Sequence, residues 1–264
     1  MALPVSIGEE TMSKTVVIGA SSGLGRCIGV GLGQRGHQVA MLARRRERIE
    51  KAAKEAGPEA VAVECDVTDE ASVRSAIGAA ANALGGIDNL VYTPAIGSVM
   101  RLVDTDAQTW SRVFATNVTG AAVATAAAVP HLSASAGKVV YLSSDAGTFS
   151  PPWPGLAAYG VSKAALERLV QAWRAEHPDI AFTNLIVGEC AGGEGDSATG
   201  FSSDWDRELA TEFYPQWISR GCMPGQLMPV EDLIEVVHTI LGTDSATSMP
   251  VVVARGAPSR PSPA

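Results

Sequence analysis

Thr15-Val16-Val17-Ile18-Gly19-Ala20-Ser21-Ser22-Gly23-Leu24-Gly25-Arg26 is the stretch that decides the fold. Its first four residues are β-branched without a polar alternation, the pattern of a strand buried on both faces. Glycines then follow at 19, 23 and 25, a GxxxGxG spacing. Glycine lets the backbone turn tightly and lie close to a pyrophosphate. The helix starting behind it offers free N–H groups and the positive end of its dipole. The spacing differs from the GxGxxG of the commonest dinucleotide fingerprint, and a glycine trio alone is weak evidence. Its place at the first strand-to-helix junction gives it weight. Gly19, Ser21, Ser22, Gly23, Leu24 and Gly25 are the expected cofactor contacts.

Apolar runs recur downstream at 38–42, 60–64, 87–92, 138–142, 181–187 and 250–253, with helix-length segments between them. This alternation predicts an α/β fold, a single-domain Rossmann-type doubly wound parallel β-sheet of about seven strands with helices on both faces. The expected domain spans 15–255, after a flexible leader at 1–14 and before a Pro- and Ser-rich disordered tail at 256–264. Residues 188–229 break the rhythm. They are rich in glycine early and in aromatics later (Phe201, Trp205, Phe213, Tyr214, Trp217), as expected of a substrate loop or lid.

The formal charge of −8 argues against nucleic acid as a partner, since phosphate neutralisation needs a basic surface. Cys27, Cys65, Cys190 and Cys222 form no CxxC and have no His at metal-ligand spacing, so free thiols and no metal site are expected. The N-terminus lacks the apolar core of a secretory signal, and Gly120–Val129, followed by Pro130, is too short to span a bilayer. A cytoplasmic protein with no membrane partner is the expectation. His37, His131, His177 and His238 are isolated in sequence and read as surface or helix-end residues.

The second strand bears on cofactor choice. NAD sites place a carboxylate at its end to accept the ribose hydroxyls. Here Ala43 stands there, followed by Arg44-Arg45-Arg46. Guanidinium groups bind phosphate through charge-assisted hydrogen bonds, which points to NADP(H) in preference to NAD(H), with Arg44 first and Arg45 second. The competing reading is a solvated charge run at a helix start. Further on, Tyr159 and Lys163 lie four apart on one helix face. A phenol near pKa 10 is a poor acid at neutral pH, and a neighbouring ammonium lowers that value by stabilising phenolate. Ser143-Ser144 closes the fifth strand, where a hydroxyl can bond a substrate carbonyl.

With these features together, the chain over roughly 15–253 resembles the short-chain dehydrogenase/reductase family. The shared pattern comprises the glycine turn, Asp66-Val67 after the third strand, Asn117, the strand-end serine and the Tyr-x-x-x-Lys pair. The resemblance implies a carbonyl–alcohol oxidoreductase in which Tyr159 is the general acid. Lys163 lowers its pKa and holds the nicotinamide ribose, and Ser144 rather than Ser143 orients the carbonyl. Asn117 would hold a relay water, while Asp66 would contact adenine. It also implies a homodimer or homotetramer through the two long central helices, where Ala157, Ala158, Ala164 and Ala165 allow close approach.

The family pattern is broken in three places. Tyr92-Thr93-Pro94-Ala95 replaces Asn-Asn-Ala-Gly, and Pro94 removes an N–H donor; Gly97 leaves room for the turn to close. Gly188-Glu189 replaces Pro-Gly, so Glu189 either favours a cationic substrate, steadies the oxidised nicotinamide or faces solvent. The stretch from Ser144 to Tyr159 carries Ser150-Pro151-Pro152-Trp153-Pro154, making Trp153 either a rigid wall of the substrate pocket or a surface cover. These breaks keep a second reading open, a catalytically weak dinucleotide-binding redox sensor or regulatory protein. The substrate expected of the first reading is a small, apolar carbonyl or alcohol.

Overall fold

The computed structural model describes residues 12–223, 226–244 and 247–257. Its strands are β1 (Lys14–Ile18), β2 (Gln38–Ala43), β3 (Val61–Glu64), β4 (Asn89–Tyr92), β5 (Lys138–Ser144), β6 (Ala181–Val187) and β7 (Val251–Ala254). They form one seven-stranded sheet in the order β3-β2-β1-β4-β5-β6-β7. Every pairing is parallel. The order reverses between β1 and β4, and at such a switch point the loops leaving the strand ends diverge to open a crevice.

Alternate residues of each strand feed two cores. Val16, Ile18, Leu90, Tyr92 and Tyr141 face α3 (Glu70–Leu84), α5 (Gly120–Ser135) and α6 (Ala157–Glu176). Val17, Val39, Met41, Val91 and Val140 face α1 (Gly23–Gln34), α2 (Arg46–Ala56) and α8 (Val230–Gly242). Helices cover both faces, which is why the strands read as unbroken apolar runs. Asp69 starts α3 by accepting the Ala71 N–H at 2.9 Å, and Gly85 ends it in the left-handed region.

Several expected boundaries move. Lys14 belongs to β1 rather than to a leader, its N–H donating to Asp88 at 2.9 Å, while residues 1–11 lie outside the described residues. Of the expected tail, Gly256 and Ala257 are described, and Ala257 accepts the Gln226 N–H at 3.2 Å; residues 258–264 lie outside. The stretch ending at Pro130 is longer than expected. α4 (Ala107–Phe114), a π-helical turn (Ala115–Thr119) and α5 run on as one helix through Pro130 to Ser135. Pro130 is tolerated because the carbonyl it leaves unpaired, four residues back at Ala126, sits on the exposed side. By length and composition this 29-residue run matches a membrane span, but Ala121, Ala124, Ala128 and Leu132 pack into the core beside α3.

His37 and His238, expected as separate surface residues, form a pair. His37 is buried, with Nδ1 at 3.0 Å from Thr15 Oγ1 and Nε2 at 3.1 Å from His238 Nδ1. Burial, with the His238 charge second, lowers the His37 pKa from 6.5 to about 4. The folded protein thus holds His37 neutral while the unfolded chain protonates it near its ordinary value. The resulting stabilisation is complete above pH 6.5 and is lost as pH falls towards 4. His37→Gln is expected to flatten that part of the pH dependence of Tm relative to wild type, measured by thermal melts between those pH values.

Candidate active site

The cofactor turn lies at the C-terminal end of β1. Gly19 has φ +89° and Gly23 φ +57°, both in the left-handed region that glycine alone enters freely. The Gly19 and Ala20 N–H groups donate to Leu42 O at 2.8 and 3.1 Å, tying the turn to β2. Thr93 at the exit of β4 locks it from the other side, its hydroxyl donating to Ile18 O at 2.6 Å. That hydroxyl sits so close to Gly19 and Gly25 that a Cβ at either would collide with it, and one at Gly25 would also lie 2.5 Å from Gly19 O. The part of the chain that departs from the expected Asn-Asn-Ala-Gly thus braces the turn.

The three arginines separate by partner. Arg45 Nε and Nη2 donate to Ser21 Oγ at 3.2 and 2.8 Å, and Nη2 donates to Ser22 Oγ at 2.7 Å. Partial burial, then the Arg48 and Arg44 charges, lowers the Arg45 pKa, a crowding of like charge that an anion would relieve. Arg46 pairs with Glu50 at 2.9 Å and behaves as the solvated helix-start residue. Arg44 bears on Asp66. Burial opposes ionisation of Asp66, but two Thr68 hydrogen bonds, at 2.9 and 2.8 Å, and the Arg44 charge hold its carboxyl below the usual range. Val67 packs beside Gly120. Glycine turn, α1 N-terminus, Ser21, Ser22 and Arg45 together line one cradle at the end of β1. Leu24 packs at its rear against the core.

Tyr159, Lys163 and Ser144 converge beyond β5. Strand alternation separates the two serines: Ser143 Oγ turns inward to Glu167 Oε1 at 3.1 Å, while Ser144 Oγ accepts the Ala146 N–H at 3.2 Å, donates to Asp145 Oδ1 at 3.4 Å and bears on the Tyr159 phenol. Lys163 is 2% exposed, donates to Leu142 O at 2.7 Å, and lies 5.7 Å from the Tyr159 ring centre. Burial pulls its pKa to about 8, against the Glu167 charge. Tyr159 does not show the expected lowering. Burial pushes its phenol up to about 12, the Ser144 hydroxyl opposes this, and the nearby Asp145 charge adds to it. The Lys163 ammonium is committed to a backbone carbonyl, so desolvation decides.

Asn117 is fully buried in the π-helical turn, a widened geometry that recurs at functional sites. Its Oδ1 accepts the Ile96 N–H, and its Nδ2 donates to Ile96 O and Ser162 Oγ, each at 2.9 Å. Ser162 in turn donates to Tyr159 O at 2.7 Å. With both amide protons used, the Asn117 side chain acts here as a strut between the β4 exit loop and α6.

Glu189 is half-buried, not solvent-facing, and burial with the Asp145 charge raises its pKa. Asp145 itself, 4% exposed, went unnoticed in the sequence, where the Ser-Ser-Asp order was its only signal. Trp153 is partly buried, its Nε1–H donating to Ser150 Oγ at 3.1 Å. It packs on Trp217 of α7 (Arg207–Ser219) with ring centres 5.6 Å apart. The ring series continues through Trp205 (5.9 Å from Trp217) and Phe201 (5.5 Å from Trp205) to Tyr159, 4.8 Å from Phe201. Phe201 of this stretch thus lies beside Tyr159, and Thr199 lies beside Gly23.

The short chain dehydrogenase family profile matches residues 13–194. The chain belongs to the short-chain dehydrogenase family. Short-chain dehydrogenase relatives include the inactive 2-(S)-hydroxypropyl-CoM dehydrogenase 2 of Xanthobacter autotrophicus, 32% identical over 80% of this chain and 90% of that one. Glycine betaine reductase ATRR of Emericella nidulans is 34% identical over 66% of this chain, which spans only 14% of that protein. Among solved structures, an alcohol dehydrogenase from Thermococcus sibiricus complexed with 5-hydroxy-NADP superposes with a TM-score of 0.78 at 23% identity. That match covers 95% of this chain and 99% of the other. The fold and the oxidoreductase family are thereby shown.

Gly25→Ala is expected to weaken dinucleotide binding at least tenfold and to lower stability by about 1–3 kcal/mol, the usual cost of forcing atoms into a packed site. Fluorescence titration with NADPH and thermal melts read the two effects.

Proposed function

We propose that this short-chain dehydrogenase reduces a carbonyl to an alcohol with NADPH, using Ser144, Tyr159 and Lys163. The observation that carries the reading is the convergence of the Ser144 hydroxyl and the Tyr159 phenol beside the buried Lys163. The nicotinamide supplies the hydride that adds to the carbonyl carbon. Tyr159 gives its proton to the carbonyl oxygen, and Ser144 holds that oxygen in place. Lys163 places a positive charge beside the phenolate left behind and offers an N–H donor to the cofactor ribose. A phenol held at about 12 is protonated at neutral pH, the state from which reduction starts, and it is a weaker acid than an ordinary phenol until charge beside it lowers that value.

Preference for NADP(H) rests on Arg45, with Arg44 beside it, because Arg45 already spans Ser21 and Ser22 where a 2′-phosphate would sit. A charged hydrogen bond of this type is worth roughly 1.5–3 kcal/mol, about ten- to a hundred-fold in affinity. Asp66 is placed to meet the adenine side. Asn117 supports Tyr159 through Ser162. Trp153 and Glu189 bound the substrate end, where aromatic rings suit an apolar substrate. The proposal extends to a homodimer or homotetramer through α5 and α6, where Val161 is apolar and 49% exposed, and to a cytoplasmic location.

A second reading, dinucleotide binding with little turnover, is favoured by Phe201 lying against the Tyr159 ring, and one relative is named inactive. A panel of aldehydes and ketones with saturating NADPH separates the two. Tyr159→Phe is expected to cut carbonyl reduction by about 10²–10⁴-fold, the usual worth of a general acid, with NADPH binding nearly unchanged. Arg45→Ala is expected to erase most of the NADPH-over-NADH preference in fluorescence titrations. Retained turnover in the first variant, or an unchanged ratio in the second, would sink the corresponding assignment.

A further inference from the structure

We propose that Glu167 is a positioning residue of this site: its two carboxylate oxygens clamp the turn that carries Ser144, and its charge faces the Lys163 ammonium from one helical turn away. The proposal rests on the reductase reading for its catalytic consequence and on geometry for its structural one.

Glu167 is 9% exposed, a placement that carboxylates rarely adopt unless paired. Ser143 donates to Oε1 at 3.1 Å, and the Thr148 hydroxyl donates to Oε2 in a short hydrogen bond. These two donors stand on either side of Ser144, one at the end of β5 and the other beyond the turn. Between them Gly147 N–H donates to Ser144 O at 3.0 Å, closing the turn on itself. Gly147 admits the carboxylate, since a Cβ there would lie 2.7 Å from Glu167 Oε1. Gly160 is matched from the helix side, where a Cβ would lie 2.8 Å from Ala146 O. The turn is pressed onto α6, and Glu167 is the polar group that fastens it.

Two neutral hydroxyls satisfy the lone pairs of a buried carboxylate but not its charge. Lys163, four residues earlier on α6, supplies the opposite charge without touching it, and the Glu167 charge raises the Lys163 pKa against burial. The other acids nearby act elsewhere: Asp145 bears on Tyr159 and on Glu189. Tyr159 faces Lys163 through its ring. Glu167 is therefore the carboxylate that opposes the effect of burial on Lys163, while the same side chain ties down both flanks of Ser144.

Glu167→Gln separates the two roles, because the amide keeps an acceptor for Ser143 or Thr148 and removes the charge. With ¹⁵N-labelled lysine, the Lys163 Nζ resonance is expected to titrate near pH 8 in wild type and at lower pH in Glu167→Gln. The alkaline limb of kcat moves with it. An unmoved midpoint in folded Glu167→Gln overturns the charge role. Thr148→Val loosens the clamp with the charge retained, and it also serves if Glu167→Gln does not fold. It is expected to leave the Lys163 midpoint in place, raise KM for the carbonyl and lower Tm by about 2–4 °C. Wild-type KM and Tm in that variant overturn the clamp. The titration and the melts need no turnover, so an inert wild type overturns the reductase reading and leaves Glu167 to be decided by them.

Discussion

The hydroxyl of Thr93, bonded to the Ile18 carbonyl and pressed between Gly19 and Gly25, is the contact on which the rest of the site depends. It joins the ends of β1 and β4, the two strands between which the sheet order reverses. No side chain fits at 19 or 25 while it is there. Three residues on, Ile96 exchanges two hydrogen bonds with Asn117, which passes a third to Ser162 and so to the Tyr159 backbone. A short polar chain thus couples the glycine turn to the helix bearing Tyr159. Each bond contributes about 1 kcal/mol, but an orphaned Asn117 amide would cost more, so the chain holds as a unit.

Electrostatics at the catalytic end is governed by desolvation rather than by pairing. Burial raises the Tyr159 phenol to about 12 and lowers the Lys163 ammonium to about 8, driving apart two titrations that nearly coincide in water. Asp145 and Glu189 add negative charge on one side, and Glu167 adds it beneath Lys163. The aromatic series from Trp153 to Phe201 reaches this site through the Phe201 ring, which lies against Tyr159.

Legibility in the sequence followed the range of the interaction. The strands, the glycine turn and the Tyr159–Lys163 spacing are local, set by a period or a backbone requirement within a few residues. Ser144 was separable from Ser143 only by the resemblance; strand alternation supplies the physical reason. Thr93 looked like a defect because its value depends on β4 lying beside β1. His37 and His238 looked isolated because 201 residues separate them. Asp145, Glu167 and the Phe201 contact act through burial, which no motif encodes. Among the arginines, the sequence order favoured Arg44. The start of α2 instead turns Arg46 to Glu50 and leaves Arg45 over the serines.

The central claim is hydride transfer to a carbonyl at Tyr159, and isotope transfer tests it most directly. The protein is incubated with NADPH deuterated at both C4 positions and a panel of aldehydes and ketones, and the alcohols are read by mass spectrometry. The account predicts a single deuterium on the former carbonyl carbon of at least one product. No deuterium in any product at saturating cofactor would contradict it.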